Sequence, residues 1–359
     1  MLAAALILVA CDGDETPSVA VAGDGAAIDA AAFVPGDPVL LSNGSPGRDE
    51  DPFVLKTRDG WVYVAWFSDR TGDGDIYLRR TRDGALWSEP IRVSSTPERD
   101  LYPTLFEDDA GRVHATWFRR GDGGNGRGHI VYTSTADALT WSPASEVAVT
   151  SPAGADNDWT PSIAETPGGG LVIAFARDGC YPRPQPCFTL KVVTSKDGVT
   201  WSAPAPMAEG SGEQDHLPFL ARGGAALTAV WNRYAANATL PYLTGTTDVF
   251  SATSVDGTSW AMTSALTAND AEQVTDVFPV LYADHARDLR VLWLSATPSS
   301  QAVVERAVSG AAAATEIAGL PASGYSHHVV ATATPGVYLG AWVSGTDPTQ
   351  DIYARAFRR

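Results

Sequence analysis

One phrase recurs six times along this chain, and it constrains the fold more than any single residue does. In the fullest copy, residues 61–90, an apolar run ends at Trp66, a loop of Gly and Asp follows, and a second apolar run begins at Asp75. The aromatic residue that ends the first run returns in every copy, as Trp66, Trp117, Phe175, Trp231, Trp293 and Trp342. The runs are rich in β-branched and aromatic residues and lack a helical period, so each copy predicts a group of β-strands.

The spacing of the copies, roughly 50–60 residues, is typical of a β-propeller, in which each copy forms one four-stranded blade. Six copies therefore predict an all-β, six-bladed propeller over residues 39–359. The sixth copy supplies only three strands, and residues 39–42 are similar in sequence to a fourth strand. We expect this N-terminal strand to complete the last blade and close the ring, which removes an unpaired sheet edge.

The charge of the chain bears on its partners. A formal net charge of −17 argues against nucleic acid and anionic membrane surfaces, because both require basic patches. The same charge keeps a protein soluble, and we expect a monomer.

The N-terminal residues indicate export. Residues 1–11 contain a short apolar run that ends in Leu8-Val9-Ala10-Cys11, too short to span a bilayer and typical of a signal peptide. The end of this run resembles a bacterial lipobox, which implies lipidation of Cys11 and a location in the cell envelope, on the periplasmic face or at the cell surface. Residues 12–38 are rich in Ala, Asp, Gly and Pro, and we expect them to be a disordered linker.

Two further cysteines, Cys180 and Cys187, bracket a Pro-rich loop. In an exported protein such a pair is expected to form a disulfide. A metal site is the alternative, although no further ligands lie nearby in the sequence.

A Pro precedes the apolar residues of the first strand in five copies, where it is expected at the first residue of the strand. An Asp stands three residues before this Pro, and Tyr325 is assigned to the same position in the sixth copy. The five residues are Asp49, Asp100, Asp158, Asp215 and Asp276. Because first strands lie nearest the axis of a propeller, we expect this set to ring the channel mouth.

An Arg follows the second strand in four copies, and the set is Arg70, Arg119 or Arg120, Arg177 and Arg233. Alternating carboxylates and guanidiniums predict ion pairs that tie each blade to the next. A Ca²⁺ ion held by the aspartates is the alternative, because carboxylate oxygens are ligands that Ca²⁺ prefers. We otherwise expect no metal and no cofactor.

A turn recurs between the third and fourth strands, most clearly in residues 194–201 and 253–260. Its Asp is expected to accept hydrogen bonds from main-chain N–H groups, its Gly to adopt a positive φ, and its Trp to pack between neighbouring sheets. These turns resemble the Asp-box, or BNR repeat, of the sialidase superfamily. The resemblance covers residues 39–359 and implies the six-bladed fold, with the active site on the face away from the turns.

The sixth copy is similar to the sialidase segment that carries a nucleophilic tyrosine, since it reads Gly324-Tyr325-Ser326. The resemblance implies Tyr325 as nucleophile with Glu213 or Asp215 as its activator. It also implies Asp73 or Asp75 as the acid/base residue and Arg70 and Arg233 as ligands of an anionic sugar. Arg120 and Arg177, at the same place in their copies, are further ligand-binding candidates. Before Pro52, where sialidases have an Arg-containing motif, the chain has Asp49-Glu50-Asp51.

Two functions remain open at this point. In the first, a surface lipoprotein binds a glycan or protein ligand on the upper face of its propeller without catalysis. In the second, the protein is an exo-acting glycoside hydrolase of sialidase type. Three histidines of the same face, His216, His327 and His328, are candidates for ligand binding, metal binding or proton transfer.

Overall fold

The computed structural model describes residues 32–43, 46–121, 127–147, 157–179, 187–207, 214–234, 247–261, 264–268, 274–310, 312–346 and 349–359. Every regular element in these ranges is a β-strand, which confirms the prediction of an all-β chain. Within them, no helix could serve as a membrane span.

The strands follow one another in antiparallel sets of four, after a short strand β1 (Val39–Leu40). Set 1 consists of β2 (Asp49–Lys56), β3 (Val62–Ser68), β4 (Asp75–Thr81) and β5 (Ile91–Arg92). Set 2 consists of β6 (Arg99–Glu107), β7 (Val113–Arg120), β8 (Gly128–Thr135) and β9 (Ser145–Glu146). Set 3 consists of β10 (Asn157–Glu165), β11 (Leu171–Asp178), β12 (Phe188–Ser195) and β13 (Ala205–Pro206).

The second half of the chain repeats this order. Set 4 consists of β14 (Gln214–Gly223), β15 (Ala226–Tyr234), β16 (Thr247–Ser254) and β17 (Ser264–Ala265). Set 5 consists of β18 (Thr275–Ala283), β19 (Leu289–Ala296), β20 (Gln301–Ala307) and β21 (Thr315–Glu316). Set 6 consists of β22 (Tyr325–Ala331), β23 (Val337–Ser344), β24 (Asp351–Arg358) and β1. A parallel pair, Thr247 with Thr275, links sets 4 and 5 into one eight-stranded sheet.

The chain's first strand lies beside its last. In the antiparallel pair β1–β24, Val39 lies opposite Ala354 and Leu40 opposite Tyr353, as the N-terminal segment predicted. The contact begins before β1, because Phe33 is 1% exposed and its N–H donates to Thr334 Oγ1 at 2.8 Å. The linker over residues 12–38 stays a prediction, and Phe33, near its end, is packed in the core. Residues 1–31, with Cys11, lie outside the described residues.

The first strands contact one another in a closed order, β2–β6–β10–β14–β18–β22 and back to β2. This arrangement of four-stranded sheets around a common centre is that of a β-propeller. The centre of the ring is thus bordered by the first strand of every set.

The repeated aromatic residues are buried between the sheets. Trp66, Trp117 and Trp231 are completely buried, and Phe175, Trp293 and Trp342 are at most 3% exposed. An aromatic side chain buries about 150–250 Å² on folding, so this set is a large part of the core.

The recurring turns have the predicted geometry. Asp197 Oδ1 accepts the N–H groups of Val199 and Thr200, both at 2.8 Å, and Gly198 has a φ of 70°. The equivalent turn at Asp256 has the same pair of hydrogen bonds. These hydrogen bonds to the ionised form lower the pKa of Asp197 to about 2.

Candidate functional site

The first strand of every set contains a β-bulge. It lies opposite the repeated aromatic residue, which belongs to the second strand of the same set. In set 1, Glu50 pairs with Phe67 and Phe53 pairs with Ala65, which leaves Asp51 and Pro52 opposite Trp66. The same shift occurs in the other five sets. The prolines therefore lie within the strands rather than at their first residues. Proline has no N–H group to donate, and the bulge places it where the sheet requires no such hydrogen bond.

One residue of each bulge adopts a left-handed conformation, with φ between 47° and 57°. These residues are Asp51, Tyr102, Thr160, Leu217, Phe278 and Ser326. None is glycine, although this conformation costs a residue with a side chain about 1–2 kcal/mol. The packing of the strand against the buried aromatic residue holds this strained backbone in place.

All six left-handed residues line one pocket at the centre of the ring, which we call the mouth pocket. Its cavity volume is about 90 Å³, and the pocket opens to solvent. Side chains of quite different chemistry meet there, since Asp51 brings a carboxyl group, Tyr102 and Phe278 bring rings, and Thr160 and Ser326 bring hydroxyl groups.

An aromatic floor closes the mouth pocket from below. Phe53 of set 1 and Phe219 of set 4 stack with their ring centroids 5.7 Å apart. His328 lies against both rings, at 4.9 and 5.5 Å. The same three side chains also border the cavity on the other side of the ring, so they separate the two.

Tyr325 joins the first and last sets beside the mouth pocket. Its hydroxyl donates to Glu50 Oε1 at 3.2 Å and accepts from Gln350 Nε2 at 3.0 Å. Burial and the nearby charge of Glu50 raise the pKa of Tyr325, so the phenol stays protonated at neutral pH. This hydrogen bond fixes the position of the Glu50 carboxylate.

Asp51 is the acidic residue of the pocket wall. Burial, followed by the neighbouring charge of Glu50, raises the pKa of Asp51 to about 8. Asp51 is thus mostly protonated at neutral pH and able to donate a proton or a hydrogen bond. Opposite protonation preferences in neighbouring carboxyl groups are typical of acid/base sites.

Two arginines lie beside this pair of acids. Arg48 Nε is 3.7 Å from Glu50 Oε2 and 4.0 Å from Asp69 Oδ2. Arg99 Nη2 is also 4.0 Å from Asp69 Oδ2, and burial together with the charge of Arg48 lowers the pKa of Arg99. We call Arg48, Glu50, Asp51, Asp69, Arg99 and Tyr325 the Glu50 cluster.

The predicted aspartate ring does not face the channel. Asp49, Asp100, Asp158, Asp215 and Asp276 are at most 2% exposed, and none lines the mouth pocket. Four of them accept hydrogen bonds from the predicted arginines of their own sets, in the pairs Asp49–Arg70, Asp100–Arg119, Asp158–Arg177 and Asp215–Arg233. The fifth, Asp276, lies opposite Ser295. The residues that do face the pocket come two positions later, because the bulge turns the strand.

The predicted arginine set is accordingly committed to these pairs, which lie within single sets and do not tie one set to the next as the sequence predicted. Arg119 is the partner of Asp100, whereas Arg120 is exposed. Arg233 donates to both oxygens of Asp215, at 2.7 and 2.9 Å, so Asp215 is held away from Tyr325 by a strong bidentate bond.

Tyr325 occupies a different register from the one predicted. It pairs with Val343, as Glu50 pairs with Phe67, so Tyr325 is equivalent to Glu50. The position equivalent to the aspartates is Gly324, where a Cβ atom would lie 2.7 Å from the Trp342 ring. The missing proline of the sixth copy, replaced by His327, concealed this register.

Of the three predicted histidines, His216 and His327 are buried and His328 is half-buried. His216 stacks on Phe188 with centroids 4.3 Å apart, and burial lowers the pKa of His216 to about 3. His327 Nε2 lies 2.8 Å from the Pro321 carbonyl oxygen, and burial lowers the pKa of His327 to about 4. Burial likewise lowers the pKa of His328, whose ring forms part of the pocket floor, to about 3. All three are neutral at pH 7, which does not suit proton transfer there.

The remaining predicted residues that the structure describes do not join the Glu50 cluster. Asp75 is fully buried and bonded to Arg92 Nη2 at 2.6 Å, and Asp73 is exposed. Glu213 lies outside the described residues, as does Cys180, so the pairing of Cys180 with Cys187 stays a prediction. Among the residues that the structure covers, no three His, Cys, Asp or Glu side chains form a group suited to a metal ion.

Sequence reasoning passed over Glu50, Asp51 and Arg99. One signal was available, because only the first copy places two further acids between its Asp and its Pro. The contact of Glu50 with Tyr325, 275 residues away, had no signal, since it depends on closure of the ring.

Comparison with known proteins shows similarity in fold and none in sequence family. No family model matches the chain, and no curated protein matches it in sequence. Many solved structures share its fold. A protein of unknown function from Dyadobacter fermentans has a TM-score of 0.70 at 13% identity, over 92% of this chain and 100% of that one.

Two of the similar structures are sugar-acting enzymes by their descriptions. The α-L-arabinanase of Penicillium chrysogenum, solved with arabinobiose, has a TM-score of 0.68 at 14% identity, over 90% of this chain and 98% of its own. A mutant α-L-arabinofuranosidase of Fusarium graminearum, solved with an iminosugar inhibitor, has a TM-score of 0.66 at 15% identity, over 92% and 97%. Identities this low show a shared propeller-type fold and leave function to the site itself.

Proposed function

We propose that the six strand sets are the blades of a six-bladed propeller whose mouth pocket binds an uncharged glycan. The pocket offers what a sugar requires, namely half-exposed rings for its C–H faces and carboxyl and hydroxyl groups for its hydroxyls. Similarity in fold to structures solved with arabinobiose and an iminosugar is consistent with this choice.

The observation that carries the proposal is the convergence of Tyr325, Glu50 and Asp51 on one side of the pocket. Three residues from opposite ends of the chain supply a fixed carboxylate and a protonated carboxyl group next to the pocket wall. Such polar groups beside an otherwise apolar pocket fix the orientation of a ligand.

An uncharged sugar fits the electrostatics better than an anionic one. Arg70, Arg119, Arg177 and Arg233 are each paired with an aspartate, which leaves them little affinity for a ligand carboxylate. In the Glu50 cluster two carboxylates and the protonated Asp51 face two guanidinium groups, so the cluster has no excess positive charge, and the whole chain carries a net charge of −17. A negatively charged sugar would be repelled by this field.

Isothermal titration tests the binding proposal. The probes are arabinobiose, xylobiose and cellobiose as uncharged sugars and sialyllactose as an anionic one. We expect the wild type to bind at least one uncharged sugar and Asp51→Ala, which removes the carboxyl donor and acceptor, to weaken that binding about tenfold, the loss of one hydrogen bond. Val255→Ser, at an exposed site in a distant turn, is the matched control and should bind as the wild type does. Tighter binding of sialyllactose, or no binding of any uncharged sugar, contradicts the proposal.

Hydrolysis is a second candidate, and the raised pKa of Asp51 beside Glu50 favours it. In this reaction Asp51 donates its proton to the glycosidic oxygen while the bond to the anomeric carbon breaks. A water molecule attacks that carbon and gives its proton to Glu50. Tyr325 holds Glu50 in place and remains a phenol, in contrast to the tyrosine nucleophile that the sialidase resemblance implied.

Chromogenic glycosides of neutral sugars test this second candidate. Glu50→Gln and Asp51→Asn should each abolish turnover, whereas Tyr325→Phe should leave part of it, because it removes only a positioning hydrogen bond. Activity should fall as the pH rises through about 8, since Asp51 loses its proton there. Complete loss in Tyr325→Phe would indicate a nucleophilic tyrosine instead, and no turnover on any glycoside would leave binding alone.

We also propose that the protein is exported and anchored through Cys11, acts as a monomer and has a Cys180–Cys187 disulfide. The support is the Leu-Val-Ala-Cys sequence at residues 8–11 and the spacing of the two later cysteines. Expression in a bacterial host tests the anchor, because Cys11→Ser should move the protein out of the membrane fraction.

A further inference from the structure

The order of the first strands around the ring determines which residues face each other across the mouth pocket. The contacts run β2–β6–β10–β14–β18–β22, so sets three positions apart lie on opposite sides of the centre. Set 2 therefore faces set 5 across the pocket, as set 1 faces set 4. Their left-handed residues are Tyr102 and Phe278 in the first case.

Side chains from opposite sets reach each other across this ring. Just below the pocket, Phe53 of set 1 stacks on Phe219 of set 4 at 5.7 Å with an angle of 12° between the rings. The ring is thus narrow enough at that level for two aromatic side chains to meet at its centre.

Tyr102 and Phe278 occupy the level above this floor. Each follows the same backbone path, with φ values of 55° and 57°, and each precedes the proline of its bulge. Both are half-buried and both line the pocket, so part of each ring remains available to a ligand. Neighbouring packing supports them from behind, since Tyr102 lies 6.3 Å from Phe118 and Phe278 lies 6.2 Å from Tyr325.

The other four positions at this level complete the pattern. Asp51, Thr160 and Ser326 are polar, and Leu217 is the only aliphatic member. A ligand between the two rings would therefore meet hydrogen-bonding groups at most of its edge.

We propose that Tyr102 and Phe278 clamp one sugar ring between them across the mouth pocket, with its hydroxyl groups directed toward Asp51, Thr160 and Ser326. This inference rests on the proposed glycan binding and adds its specificity: the ligand is a sugar unit with C–H groups exposed on its faces. Aromatic rings attract such faces because burial of apolar surface combines with the negative face of the ring.

Titration of the uncharged disaccharide that the wild type binds tests the clamp. Phe278→Leu keeps most of the volume and removes the aromatic face, and Tyr102→Leu does the same on the opposite side. Each should raise Kd about tenfold, whereas Phe278→Tyr and Tyr102→Phe should bind like the wild type. Thermal unfolding of each variant checks that the fold is intact.

Nuclear magnetic resonance of the sugar provides a second measurement. Its proton shifts would not change if Tyr102 and Phe278 only stabilised the fold. Sugar C–H protons held over aromatic rings should shift upfield in the presence of the wild type, and the shift should shrink in each leucine variant. If the wild type binds a sugar and both leucine variants keep its affinity and its shift, the clamp is overturned while glycan binding stands. If the wild type binds no uncharged sugar, both proposals fall together.

Discussion

The buried aspartates and the bulge residues two positions after them are both repeated around the ring, yet they differ in every other respect. At the aspartate position five sets have the same residue, which is buried and, in four of them, paired with an arginine. At the bulge position all six residues differ, and all six face the mouth pocket. The constant position therefore builds the ring, and the variable one is free to define what binds.

This comparison predicts large stability effects at the constant positions and small ones at the variable positions. The largest expected effect is that of Trp231→Ala, which removes a fully buried ring. It should lower the free energy of unfolding by about 3–5 kcal/mol. Phe278→Leu, at the pocket, should lower it by less than about 1.5 kcal/mol. Urea unfolding monitored by circular dichroism measures both, and equal losses would remove the distinction.

The ion pairs of the constant position give a similar contrast between adjacent arginines. Arg119→Ala leaves the buried carboxylate of Asp100 without its bidentate partner and should cost about 3–5 kcal/mol of unfolding free energy. Arg120→Ala, at an exposed side chain, should change it by less than about 0.5 kcal/mol. A small effect of Arg119→Ala in the same unfolding assay would show that the pair is not structural.

The turns on the other face of the ring are constant as well. A Cβ atom on Gly257 would lie 2.3 Å from Val172 Cγ2, so Gly257→Ala should cost about 1–3 kcal/mol through overpacking. Gly111 has a similarly positive φ of 85° and no atom near its Cβ direction, so Gly111→Ala isolates the cost of the backbone, about 1 kcal/mol. Thermal unfolding should therefore rank Gly257→Ala below Gly111→Ala in stability.

The last expected effect depends on pH and concerns Asp51. Its pKa of about 8 in the folded protein exceeds the ordinary value of 3.8, so the folded chain keeps a proton that the unfolded chain loses between these values. Asp51 then lowers stability as the pH rises from about 4 to 8, by no more than about 1.4 kcal/mol for each unit. Asp51→Asn should become more stable than the wild type as the pH rises. The difference in unfolding free energy between the two proteins at pH 5, 7 and 9 measures this, and a difference that does not change with pH would indicate an ordinary, solvated Asp51.

The sequence predicted the constant part of the molecule because its signals are local. The aromatic positions, the Asp turns and the fourth strand contributed by residues 39–42 each depend on a few neighbouring residues, and the structure places them as expected. The pocket could not be predicted in the same way. The bulge puts Asp51 rather than Asp49 toward the centre, and a shift of this kind moves side chains to a different face of the strand.

The sequence predicts Tyr325 as a site residue, and the structure shows a partner for it that no local pattern indicates. The departure of the sixth copy from the others points to Tyr325, whose hydroxyl donates to Glu50, whereas Asp215 is bound by Arg233. The proline that marks the register in five copies is His327 in the sixth, and only strand pairing reveals that Tyr325 is equivalent to Glu50. Contacts between the first and last strands depend on the closed ring, which no local pattern encodes.

The central claim, that the variable bulge positions and not the constant positions recognise the ligand, is tested most directly by two matched substitutions. Asp51→Ala changes the bulge position of set 1, and Asp276→Ala makes the same chemical change at the constant position of set 5. The measurement is Kd for the uncharged disaccharide that the wild type binds, determined by isothermal titration at pH 7. The account predicts about tenfold weaker binding for Asp51→Ala and an unchanged Kd for Asp276→Ala. An unchanged Kd for Asp51→Ala together with weaker binding for Asp276→Ala would contradict it.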